Sequence, residues 1–184
     1  MDGVDYGPLN ALIGEWRSDQ GMDVSPAYPS GADQSPYQET LLFEPAGQVE
    51  NAEEQLLSVL RYHQVVMRNS NGKVFHNETG YWMWDPASDL VMQSLTIPRG
   101  VCLIAGGKAS TTSDGITTIT VHAALEDTEW QIVQSPFMQK KARTLSFDHT
   151  VTRDGDRLLY HETTWLEIYG QRFEHTDKNT LVQA

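Results

Sequence analysis

The sequence predicts an all-β fold, an antiparallel up-and-down β-barrel of about ten strands preceded by a short N-terminal helical turn. Three observations carry this. Short β-like runs follow one another along almost the whole chain, most of them joined by hairpin-length turns. Alternation within the runs gives faces that mix polar and apolar residues, which suits a barrel around a wet or ligand-filled cavity better than a sandwich with an aliphatic interior. The length, 184 residues, is that of one domain (1–184) able to enclose such a cavity.

The elements follow in order. Residues 8–13 read as one or two helical turns with Pro8 near their start, and the first strand begins at Trp16 and runs to Met22. Residues 25–36, rich in Pro, Ser, Gly and Asp, read as a loop insertion. Strands are expected at 37–43, 54–68, 73–84, 90–97 and 101–109. Asn69-Ser70-Asn71-Gly72, Asp85-Pro86-Ala87-Ser88 and Pro98-Arg99-Gly100 are the turns between the later ones. Further strands are expected at 116–124, 144–152, 157–168 and 171–183, and the Asp-Gly pairs Asp114-Gly115 and Asp154-Gly155 supply hairpin turns. No internal repeat or low-complexity tract interrupts the series.

Composition narrows the function. Thirteen basic and 25 acidic residues leave a net charge of −12, and no basic block is present to hold a phosphate backbone, so nucleic acid is not an expected partner. The lone cysteine, Cys102, excludes an intramolecular disulfide framework and reads as inert core within the apolar run Val101-Cys102-Leu103-Ile104. Neither a signal-peptide pattern nor a membrane-spanning apolar run is found, so the expectation is a cytoplasmic protein without membrane contact, monomer or homodimer.

The chain has no GxGxxG, Walker-type phosphate loop, GxSxG or HExxH. The histidines, His63, His76, His122, His149, His161 and His175, show no zinc-ligand spacing, although His122 and His149 could meet across strands.

Several segments carry a family resemblance. Gly14-Glu15-Trp16, preceded by Leu9, Leu12 and Ile13, matches the start of a GxWxGxG pattern, with Ser18 and Gln20 where the pattern has glycines. Phe75-His76-Asn77-Glu78-Thr79-Gly80-Tyr81, the hairpin 95–101, and the stretch from Leu159-Tyr160 through Trp165 to Gly170-Gln171 and His175 continue the match. Together they resemble the nitrobindin family, earlier labelled fatty-acid-binding-protein-like. The first pattern is shared with lipocalin-like barrels.

The resemblance implies ferric heme b in the open end of a ten-stranded barrel, with His175 as iron ligand and His76 on the opposite side of the cavity. It implies further that Trp165 faces the pocket from the preceding strand, that Lys141 pairs with heme propionates, and that Trp16 helps pave the cavity. Trp82 and Trp84 are further candidates for paving. The physics is consistent: Phe173, His175 and Asp177 share one strand face, and a neutral imidazole is a good iron donor. His76 shares a face with Val74, Glu78 and Trp82, and reads either as a donor beside a bound ligand or as part of a polar network with Glu78 or Tyr62.

Two function classes stay open. One is a heme protein that binds NO or isomerises peroxynitrite to nitrate. The other is a carrier or sensor of a small apolar, fatty-acid-like molecule, with His76 or Arg99 anchoring a carboxylate. A role in protein contacts is the third and weakest idea.

Overall fold

Hairpin follows hairpin until the last strand meets the first. The computed structural model describes residues 3–184. A 3-10 turn, Gly7–Ala11, leads into β1 (Gly14–Pro26), β2 (Ala32–Asn51), β3 (Gln55–Arg68), β4 (Val74–Asp85), β5 (Leu90–Ile97), β6 (Val101–Thr111) and β7 (Thr117–Ala124). Then come β8 (Ile132–Gln134), α1 (Pro136–Lys141), β9 (Ala142–Asp154), β10 (Arg157–Ile168) and β11 (Gln171–Gln183). Ten of these strands form a closed antiparallel ring, β1-β2-β3-β4-β5-β6-β7-β9-β10-β11, which closes where β11 pairs with β1. The three-residue β8 lies on residues 101–103 of β6, beyond the stretch that β7 covers. Among the described residues no helix is long and apolar enough to cross a membrane.

One end of the barrel is plugged. Leu9 and Leu12 of the N-terminal turn, with Tyr6, sit against Trp16, Ile119, Leu158 and Leu181, all essentially without exposure. The Trp16 indole Nε1 donates to Leu12 O at 2.7 Å, and the Arg153 guanidinium lies 4.4 Å from the centre of its ring. Each such aliphatic side chain contributes about 1.5–3 kcal/mol by burial. Trp16 is therefore part of the plug, opposite Gln183 and Leu41, and not of the end where His175 sits.

One expectation about secondary structure is corrected, and one short helix is added. Residues 25–36 are mostly strand: Val24, Ser25 and Pro26 pair with Gln34, Asp33 and Ala32, so only residues 27–31 form the turn. Polar, Pro-containing segments are poor strands by composition, but a hairpin above the barrel needs only its backbone ladder and no buried face. The basic segment 135–143 contains a helix, α1. Ser135 caps it by accepting the Met138 N–H, Pro136 occupies its first turn, and Lys140 and Lys141 end it.

A bulge in β1 explains the incomplete glycine pattern. From Ser18 to Gly21 β1 advances three residues while β2 advances two, from Glu39 to Tyr37. Gly21 thus takes the ladder position where an unbulged strand would have placed Gln20. The Tyr37 ring lies over it so closely that a Cβ on Gly21 would come 1.9 Å from a ring carbon.

Candidate functional site

Beyond the plug, the inner wall changes from apolar to polar. Period-two alternation turns Glu39, Gln64, Glu78, Gln93, His149, Tyr160, Glu162, Asp177 and Asn179 inward from seven different strands. They hold one another. Glu39, only 4% exposed, accepts from Gln64 at 2.7 Å, Asn179 at 2.7 Å and Tyr160 at 3.0 Å. The Tyr37 hydroxyl lies 2.6 Å from that of Tyr160 and donates a short bond to Asp177.

A second chain crosses from β4 to β9. Tyr62 Oη donates to Glu78 Oε1 at 2.5 Å and accepts from Gln93 Nε2 at 3.0 Å, and Gln93 Oε1 accepts from His149 Nδ1 at 3.0 Å. His149 is enclosed by Trp82, Phe147 and Tyr160.

Burial sets the charges. It pushes the His149 imidazole down to about 4, so the ring is neutral near pH 7. It pushes Glu39 up to about 7 against its three hydrogen bonds, and Asp177 up to about 6 despite the Tyr37 bond. Glu162, whose hydrogen-bond partner is Thr164 two residues along its own strand, is also raised, by burial and then by the charges of Glu78 and Asp177. Tyr37, Tyr62 and Tyr160 are all raised by burial and stay protonated.

Nearer the open end stand two histidines, each tied to a carboxylate. His175 Nε2 lies 2.6 Å from Asp23 Oδ1, joining β11 to β1, and Asp23 is 3% exposed. His76 Nε2 lies 3.4 Å from Glu78 Oε2 on β4. Both imidazoles keep 29% of their surface. Three strands separate β4 from β11 one way round the ring and five the other, so the two histidines stand on facing walls, and both act on the charge of Asp177. His76 is raised to about 8: burial works against its charge, but the hydrogen bond to Glu78 and the field of Glu78, Glu162 and Asp177 outweigh it. Its neighbour Val74 has left that face, because a bulge at Phe75 turns it outward, where it is 53% exposed.

The other expected residues divide. Arg99 lines the same rim groove as His76, with Phe75, Asn77 and Ile97, and its Nη2 donates to Phe75 O at 2.6 Å. Lys141 borders a depression at the β10–β11 turn with Lys140, Gln171 and Arg172. The Gln171 amide nitrogen is buried there without a hydrogen-bond partner among the described residues.

Trp165 does not face the pocket. Thr164 is paired with His175 and shares its face, whereas Trp165 is paired with exposed Glu174 on the outside and lies under the Arg172 guanidinium at 4.6 Å. Trp82 is deep in the wall beside His149, and Trp84 packs under Gly7 at the plug. His122 and His149 do not meet: His122 points outward to Asp148 at 2.8 Å. Cys102 is exposed on the outer face, not core. Among the described residues no group of three or more His, Cys, Asp or Glu has the geometry to hold a metal ion.

The sequence reading missed Asp23, Glu39, Glu162 and Tyr160. The available signal was an acidic residue at period two from residues destined for the interior, as Glu162 is from Tyr160 and Glu39 from Leu41.

Comparison with known proteins agrees with the barrel fold. A family model, the THAP4-like, heme-binding β-barrel domain, matches residues 5–183. The crystal structure of Rv2717c from M. tuberculosis superposes with a TM-score of 0.67 at 23% identity, covering 98% of this chain and 99% of that one, and it supports the fold. No curated protein matches the sequence.

Proposed function

Because the chain belongs to the THAP4-like, heme-binding β-barrel domain family, we propose that it holds ferric heme b at the open end of the barrel through His175. The observation that carries this reading is the Asp23–His175 pair on the inner wall. With His175 Nε2–H donated to Asp23, the ring's lone pair is left on Nδ1, and a carboxylate partner strengthens a metal-binding imidazole as a donor.

Two further features fit the group. Lys140, Lys141 and Arg172, with the unpartnered Gln171 amide, offer cations and a donor to carboxylate tails at the rim. Asp177 and Glu162 beneath are pushed toward their neutral forms, which lowers the cost of covering them with an apolar surface.

Heme bound there would supply an iron with one protein ligand, open to NO or to peroxynitrite, whose isomerisation to nitrate is the activity proposed. The chain's own part is to ligate through His175, to orient the group by its rim cations, and to limit water access with the polar wall below. A second reading, a carrier of a carboxylate-headed apolar molecule, is favoured by one observation: His76 and Arg99 line a single rim groove.

Titration of the purified protein with hemin, beside His175→Ala, tests the proposal. The expected result is a saturable one-to-one shift of the Soret band that the substitution abolishes. Weak, unsaturable uptake by both proteins sinks it and turns attention to fatty-acid probes.

A further inference from the structure

Charge is divided between the two ends of the barrel. At the plugged end, Glu53, Glu54, Asp89, Asp114, Asp154 and Asp156 stand in or beside the turns β2–β3, β4–β5, β6–β7 and β9–β10, with Arg153 and Arg157 next to them. At the open end the sign reverses. Lys73, Arg99, Lys140, Lys141 and Arg172 are all exposed there, and none forms an ion pair among the described residues. Of the acids close by, Glu126 and Glu167 are paired with Arg143, at 3.3 and 3.6 Å, which leaves Asp33 and Glu174. The chain as a whole carries −12, so this rim is a cationic face on an acidic protein.

The same rim carries the two most exposed aromatic rings among the described residues, Tyr28 at 80% and Phe137 at 69%. The features are continuous. Tyr28, on the β1–β2 turn, meets Tyr169 edge-on at 5.2 Å, and Tyr169 borders the depression that holds Lys140, Lys141 and Arg172. Helix α1, with Phe137 on it, is tied to the β5–β6 turn where the Ser135 N–H donates to Gly100 O at 2.8 Å. Arg99 of that turn lines one groove with Val74, which follows Lys73. Solvated cations interleaved with unburied rings are what a bilayer interface takes: the rings sit at headgroup level and the cations meet lipid anions.

We propose that the open rim docks on the surface of anionic phospholipid bilayers, with Tyr28, Phe137 and Tyr169 among the headgroups. The acidic end does not prevent this. Twelve residues of β10, tilted as in a closed barrel, span roughly 30 Å, whereas charges are screened within about 8 Å at physiological salt. A rim-to-rim pair of copies, by contrast, would set like charges together. Docking turns the mouth of the cavity toward the phase in which an apolar ligand dissolves, and it does not rest on the heme reading. The sequence expectation of no membrane contact looked for leaders and spans. A peripheral face of this kind is assembled only when separate turns meet around one rim.

Flotation of the heme-free protein with vesicles tests the proposal. Wild type should bind phosphatidylcholine vesicles that contain about one-third phosphatidylserine, and not phosphatidylcholine alone. Raising NaCl from about 0.05 M to about 0.5 M should weaken binding by roughly tenfold or more. Lys73→Gln with Lys140→Gln should weaken it about twenty- to thirtyfold. Phe137→Ser should weaken it about fivefold, and Arg157→Gln, at the far end, should leave it unchanged. Absence of binding to the anionic vesicles at low salt overturns the proposal, as does a loss in Arg157→Gln equal to that of the double variant. Unchanged binding by Phe137→Ser, with soluble polyglutamate bound as tightly as vesicles, overturns it in favour of an acidic protein partner.

Discussion

Glu39, Glu162 and Asp177 face the interior of one small barrel, and burial pushes all three toward their neutral forms. Each shifted group has a pH window. His149, held down to about 4, binds a proton more readily unfolded, so it adds stability as pH rises from about 4 to 6.5. Glu39 and Asp177, held up to about 7 and 6, bind protons more readily folded, and their contribution is lost as pH rises from about 4 through those values. His76, held up to about 8, contributes below 6.5 and loses that contribution as pH rises to 8. Below 6.5 the effects oppose one another. Above it they share a sign, so the melting temperature should fall between pH 6.5 and 8. His76→Gln should remove on the order of 1–2 kcal/mol of that dependence, read as a flatter melting-temperature profile. An equally steep decline in the variant would mean that His76 has no such role.

At the scale of the element, bulges and turns decide which side chains reach the site. The Ser18–Gly21 bulge brings Gly21, and no longer Gln20, under Tyr37, and Tyr37 in turn reaches Tyr160 and Asp177. Gly21→Ala puts a methyl into that ring and should cost about 1–3 kcal/mol by overpacking, measured by urea unfolding. A neutral result would show that Tyr37 gives way freely. The β10–β11 hairpin makes the opposite point, because its register was legible. A two-residue turn at Tyr169-Gly170 pairs Ile168 with Gln171 and therefore Thr164 with His175, which sends Trp165 outside once His175 is known to point in. The family pattern suggested the reverse, since an aromatic near that position resembles a pocket residue more than a threonine does. The 3.6-residue spacing that betrays helices was no help with α1, which is too short to show it, although Ser135-Pro136 is a good start signal.

In the whole molecule, a plugged end and a polar open end divide stability from chemistry. Leu9 is fully buried between the N-terminal turn and the core, far along the barrel from His175, so Leu9→Ala should cost about 2–5 kcal/mol while leaving hemin affinity within about twofold of wild type. Urea unfolding and hemin titration of the same variant check both halves, and a large loss of affinity would mean that the two ends are coupled. The strand count, nearly every turn and the shared face of Phe173, His175 and Asp177 were determined by the sequence, because alternation and turn chemistry act over a few residues. Tertiary structure alone decided that His175 meets Asp23, that His76 stands opposite it on Glu78, and that Trp16 belongs to the plug. Those pairings join residues up to 152 positions apart. They depend on bulges that reverse a strand's facing and on the closure of β11 against β1, which no local pattern encodes.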